Sequence, residues 1–156
     1  MTFIREEDRA AAERKKKLLL ALYVAIACVY VVGAVLLLVF SSDSYIPYLI
    51  ADILFTIAFG FYSIYFFTVA YSYAVREYRL LEKMLGALEE REYGVFLREE
   101  APLTVEGLEM RSFLFLVNGV EREIKLFRGE ISLEEGKKYT LEIRCGILKG
   151  IGGGDV

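Results

Sequence analysis

The sequence predicts a transmembrane helical hairpin followed by a small all-β domain. Three observations carry this. Two apolar runs, residues 18–40 and 48–75, flank a short polar stretch that begins Ser41-Ser42-Asp43-Ser44. Periodicity switches from helical to alternating near Tyr93. Asn118-Gly119 then stands between two runs of strand formers, as a two-residue hairpin turn requires.

Composition supports the division. Apolar residues make up 56% of the chain while 26% is still charged, so a nearly charge-free part and a charge-rich part are averaged together. Residues 1–17 carry +2, the hairpin −2, residues 76–92 −1 and residues 93–156 −2. No part is basic enough for a nucleic-acid footprint. With no His and only Cys28 and Cys145, a zinc site of the usual kind is not expected, nor any cofactor. Cys28 lies in an apolar run and Cys145 in the β region, so both are expected to stay reduced and unpaired.

Residues 1–17 mix alanines with both signs of charge and read as an amino-terminal helix on the cytoplasmic side. Residues 18–40 follow without a charge and give about 34 Å of helix, enough for a hydrocarbon core of about 30 Å. Ala25-Ile26-Ala27-Cys28 approaches a lipoprotein cleavage box, but residues 29–40 continue the apolar run with no polar spacer, so the segment reads as an uncleaved anchor. Pro47 suits the first turn of a second span, residues 46–75, which must tilt because residues 48–75 alone reach about 42 Å. Tyr45 and Tyr48 at one end, with Tyr71 and Tyr73 at the other, are placed as interfacial anchors. Arg14, Lys15, Lys16 and Lys17 precede the first span and Arg76 and Arg79 follow the second, whereas the connecting turn has no Lys or Arg. These six are expected to contact headgroups, and the positive-inside rule then puts both termini in the cytoplasm.

Residues 76–92 continue as an amphipathic stalk helix, with Leu81, Met84, Leu85 and Leu88 as its candidate interface. From residue 93 to 151 short strands follow: 93–97, 103–105 after Pro102, 110–117, 120–127, a strand whose one face is Tyr139, Leu141, Ile143 and Cys145, and 147–151. Five or six such strands with no helical interval predict a small antiparallel barrel of the SH3-like or OB-like kind. Residues 152–156 read as a flexible tail. The order of membrane segment and small β domain resembles that of NfeD-like membrane proteins, whose soluble part resembles an OB fold. No motif matches residue by residue, and no family is assigned on it.

Asp52 is the ionisable residue within a span, and Asp52, Thr56, Gly60 and Ser63 share one helical face at spacings of four, four and three. A small, weakly polar face in lipid closes a hairpin or meets a partner, and Asp52 alternatively caps the turn with Ser42 or Ser44. Ala21, Ala25 and Cys28, and Ala27 with Ala34, form comparable faces on the first span, while the aromatics of the second, from Phe55 to Phe67, face lipid or a hydrophobic partner. The β region contains no nucleophile with a base, Glu99-Glu100 and Glu134-Glu135 read as solvated turn charges, and glycine-rich residues 150–154 lack the Lys-Ser/Thr of a phosphate-binding loop. The expected role is therefore not enzymatic. It is a binding, scaffold or regulatory subunit of a membrane complex, with the bilayer and a membrane-protein partner or homo-oligomer as its partners. The alternatives are a small oligomeric transporter or channel with Asp52 in a shared interior, and a cytoplasmic ligand sensor signalling through the stalk.

Overall fold

The computed structural model describes residues 2–40 and 45–153, with the Tyr45 side chain excepted. The expected turn at residues 41–44, the contribution of Ser42 or Ser44 to it, the side chain of Tyr45 and the last three residues of the expected tail lie outside this range. The chain divides into two compact units, Glu13–Val75, and Met1–Ala12 with Arg76–Val156.

The first unit is helical. It contains most of α1 (Glu6–Phe40) and all of α2 (Tyr45–Tyr65), both long and apolar enough to cross a membrane by length and composition. Tyr23 of α1 bonds to Ser63 and Tyr30 to Thr56, and this descending order makes the two helices antiparallel neighbours. The half-buried residues of α1 include Tyr23, Ile26, Ala27, Tyr30, Gly33, Ala34 and Leu37, an alternation of three and four that holds one seam toward α2. Ala27 and Ala34 belong to that seam, whereas Ala21, Ala25 and Cys28 are exposed on another face. The second apolar run is not a uniform α-helix. A π-helical segment, Phe66–Tyr71, interrupts it before α3 (Ser72–Gly86). There Thr68 donates to the Ile64 carbonyl and Ser72 to the Thr68 carbonyl, back-bonding of the kind that satisfies helix carbonyls in an apolar setting.

The second unit is built on five strands: β1 (Glu90–Val105), β2 (Leu108–Val117), β3 (Val120–Leu126), β4 (Lys138–Arg144) and β5 (Ile147–Gly153). The antiparallel barrel expected from the strand count is corrected here. The sheet is mixed, in the order β1-β2-β3-β5-β4: β1 also pairs antiparallel with β4, and β3 meets β5 only at a single parallel register pair, Lys125 with Ile147. Strand counting cannot reveal this, because β5 reaches β3 by tertiary packing and not by a hairpin.

Four boundaries also differ from the expectation. The stalk helix stops at Gly86 instead of continuing to residue 92, since Glu90, Arg91 and Glu92 pair with Ile143, Glu142 and Leu141 of β4, and that ladder overrides the helical pattern. The two first strands are one strand, with register shifts between Phe96 and Arg98 and between Glu100 and Leu103. Pro102 sits in the second shift, where the ladder needs no donor from it. Cys145 leaves the strand face on which the alternation placed it. With Gly146 it forms a two-residue turn at φ 51° and 74°, matching Glu106-Gly107 and Asn118-Gly119. Gly152 and Gly153 of the expected tail are part of β5.

Phe96, Phe113, Phe115, Ile124, Leu141 and Leu148 fill the concave side of the sheet. Gly94 allows this closeness, because a methyl group on it would lie 2.9 Å from a Leu141 methyl. A second cluster joins Ile4 and Ala12 from the chain start, Leu80, Leu81 and Met84 from α3, and Leu108, Met110 and Ile147 from the sheet. The chain start is held there by a bridge between Thr2 and Gly150 and by the Phe3 amide donating to the Lys149 carbonyl at 2.7 Å.

Candidate functional site

Two places gather polar side chains where bare apolar packing would suffice. The first is the seam between α1 and α2. The Tyr23 hydroxyl donates to Ser63 Oγ at 3.0 Å, Ser63 in turn donates to the Phe59 carbonyl at 2.8 Å, and Tyr30 and Thr56 share a hydrogen bond of 2.8 Å. The rings add contact, with Tyr30 stacked on Phe59 at 4.2 Å and Tyr23 on Phe66 at 4.9 Å. Of the face read from sequence, Thr56 and Ser63 are thus taken up by tyrosines of α1. Gly60 has no atom within 4 Å of where a Cβ would stand. Asp52 is half-buried, and its Oδ1 is enclosed without a hydrogen-bond partner among the described residues. Tyr23 and Tyr30 were not singled out in the sequence, although seven residues apart they share a helix face and each brings a hydroxyl that an apolar environment obliges to find a partner.

The residues assigned to headgroups are mostly exposed. Arg14 is open, Lys15 lies 5.4 Å from the centre of the Tyr73 ring, Lys16 is half-buried, and Lys17 pairs with Glu13 at 2.7 Å. In the other unit Arg79 is exposed, and the Arg76 guanidinium packs against Gly107, whose φ of 79° favours glycine.

The second place lies in the unit that contains the sheet. Of the four stalk residues, Leu81 and Met84 are fully enclosed and Leu85 is half-buried, but Leu88 is 91% exposed beyond the end of α3. Arg144 closes that helix end. Its Nη1 donates to the Met84 and Leu85 carbonyls at 3.3 and 2.9 Å, which are last-turn acceptors with no intrahelical partner, and the positive charge suits the carbonyl end of the helix. Its Nη2 donates to Glu89 at 3.1 Å, and Lys149 Nζ donates to the same carboxylate oxygen at 2.8 Å. Hydrogen bonds from Lys149 and then Arg144 hold the Glu89 carboxyl far below the usual carboxylate range, at about 2. Nothing in local spacing could have announced this cluster, because Glu89 and Lys149 are sixty residues apart.

Other charges tie strands together. Arg111 grips Glu99 through two bonds of 2.8 and 3.0 Å, which lowers the pKa of the acid and raises that of the guanidinium. Arg122 reaches both Glu90 and Glu92, and its own pKa is raised, chiefly by the bond to Glu90. Arg128 pairs with Glu77, which is almost wholly enclosed, and lies 3.6 Å from Asp8. Among the described residues no three His, Cys, Asp or Glu side chains are grouped to hold a metal ion, and Cys28 and Cys145 are both free and exposed. No family model matches the chain, and no curated protein matches it.

Proposed function

We propose that the chain is a two-span membrane protein with both termini in the cytoplasm, acting by binding and not by catalysis, as a scaffold or regulatory subunit of a membrane complex. The observation that carries this reading is the inverted polarity of the hairpin. Its hydroxyls pair inward across the seam, while large aliphatic side chains such as Val29, Ile46 and Leu54 stay more than 60% exposed. An apolar surface of that extent needs lipid or protein to cover it. The exposed small face of Ala21, Ala25 and Cys28 is where a partner helix could approach most closely.

The native cysteines provide the test. Cys145 lies in an exposed turn. In sealed vesicles of a Cys28→Ser variant, a membrane-impermeant maleimide should label Cys145 only when the cytoplasmic face is outward. Labelling from the opposite side would reverse the topology, and release of the protein by carbonate washing would end the membrane reading. Purification in mild detergent should then recover a stoichiometric partner or a defined homo-oligomer, and a lone monomer would count against the subunit role.

One observation favours a second reading. Asp52 Oδ1 is enclosed without a partner among the described residues, as a carboxylate awaiting a second hairpin in a small oligomeric transporter would be. Flux through liposomes that an Asp52→Asn variant lacks would support it, and identical flux from both proteins would remove Asp52 from any such mechanism.

A further inference from the structure

Beside the end of α3, between the chain start and strands β4 and β5, lies a cleft of about 360 Å³. Arg5, Arg144 and Lys149 line it with Thr2, against one carboxylate, that of Glu6. The donors are incompletely used. The Arg5 guanidinium is exposed and has no partner among the described residues, its hydrogen bond to Asp8 coming from the backbone amide. Arg144 contributes charge and not a free donor, since its Nη1 and Nη2 are committed to Met84, Leu85 and Glu89 and its Nε is enclosed. Lys149 spends one of its three protons on Glu89. The Glu89 carboxylate, which Lys149 and Arg144 both contact, offsets part of their charge and leaves Arg5 as the cation without a counter-charge from it.

We propose that this cleft binds a small phosphorylated anion, with Arg5 and Lys149 donating to its phosphoryl oxygens beside the positive charge of Arg144. Three features favour phosphoryl over a planar carboxylate. The cations arrive from three chain segments, the residue before α1, β4 and β5, so they surround a tetrahedral acceptor better than they match one face-on fork. Arg144 is already fixed by the Met84 and Leu85 carbonyls, so little side-chain freedom is lost on binding. Ile4 and Leu85 supply an apolar wall, and the volume lies at the small end of ligand sites, fitting a phosphate with a short carbon skeleton. A free phosphate ester and a phospholipid headgroup share this chemistry.

The test uses the full chain in lipid nanodiscs, with inorganic phosphate as the probe and sodium chloride of equal ionic strength as the reference. In phosphatidylcholine discs, phosphate should raise the melting temperature saturably. Arg5→Gln, which has no internal partner to lose, should leave the unliganded melting temperature unchanged and weaken phosphate binding roughly tenfold, and Lys149→Gln should weaken it similarly. Discs containing phosphatidylglycerol separate the sources. A phosphate effect that persists in them identifies a soluble ligand. One that disappears, while the anionic lipid itself stabilises the native chain over Arg5→Gln, identifies a headgroup. A shift that tracks ionic strength alone, or one that both variants retain in full, overturns the proposal, as does the absence of any phosphate or anionic-lipid effect.

Discussion

Leu81 and Leu36 obey opposite rules in one chain. Leu81 is fully enclosed among Ile4, Ala12 and Met84, whereas Leu36, on the first apolar helix, is about half exposed, like most of the aliphatic residues around it. Polar groups show the same reversal. The hairpin turns its hydroxyls inward onto each other, while the sheet unit carries Arg111–Glu99 and Arg122–Glu90 on its exterior. Both patterns follow one rule, that apolar surface favours apolar surroundings and polar groups favour partners, and the hairpin's pattern is the one an apolar surrounding would select. A segment's burial pattern is therefore evidence about its solvent.

The contrast is broken most forcefully by equal truncations on its two sides. Phe115→Ala should destabilise the sheet unit by about 3–5 kcal/mol, because the ring is fully enclosed, whereas Leu36→Ala should change stability by no more than about 0.5 kcal/mol. Proteolysis of the purified protein across a denaturant series measures both, and a comparable loss from Leu36→Ala would mean that a partner covers that face. Next in size is Arg128→Met, which strips a cation from the enclosed Glu77 and should cost on the order of 3 kcal/mol. Adding Glu77→Leu should recover most of that loss in the same assay. If the double variant is as weak as the single, the cost came from packing of the arginine stem.

Tyr30→Phe probes the hairpin's side with a smaller expected effect, about 0.6 kcal/mol from loss of the bond to Thr56, read as a lowered midpoint for helix loss in mixed detergent. A Thr56→Val change made on top of it should then add little, since the pair is already broken. Glu89 gives the sheet unit a dependence on pH. Its folded pKa of about 2 lies below the ordinary 4.5, so the folded state holds the proton more weakly than the unfolded one. The stabilisation is complete above about 4.5 and is lost as pH falls toward 2. Melting curves across that window should show the native chain losing stability relative to Glu89→Gln, and parallel curves would mean that Lys149 and Arg144 leave its titration unshifted.

Legibility in the sequence followed the range of the interaction. The two apolar runs, the start of the second helix near Pro47, the Asn118-Gly119 turn and the alternation of β3 and β4 were readable, because each depends on neighbours within a few residues. Part of the Asp52 face was readable for the same reason, since helical spacing put Thr56 and Ser63 together, although not the tyrosines that meet them. The helix limit at Gly86 was in principle visible as a glycine, but the charged leucine-rich stretch around it obscured the signal.

The sequence by itself therefore determined that this protein has two apolar helices followed by a strand-rich region, since hydropathy and period are properties of short segments. Only the tertiary structure decided that residues 90–92 join a strand, that Lys125 meets Ile147 in the single parallel pair between β3 and β5 of a mixed sheet, and that Arg144 and Lys149 converge on Glu89. Those contacts join residues 22 to 60 positions apart. Their formation depends on the summed burial and charge pairing of the whole unit, which no local spacing encodes.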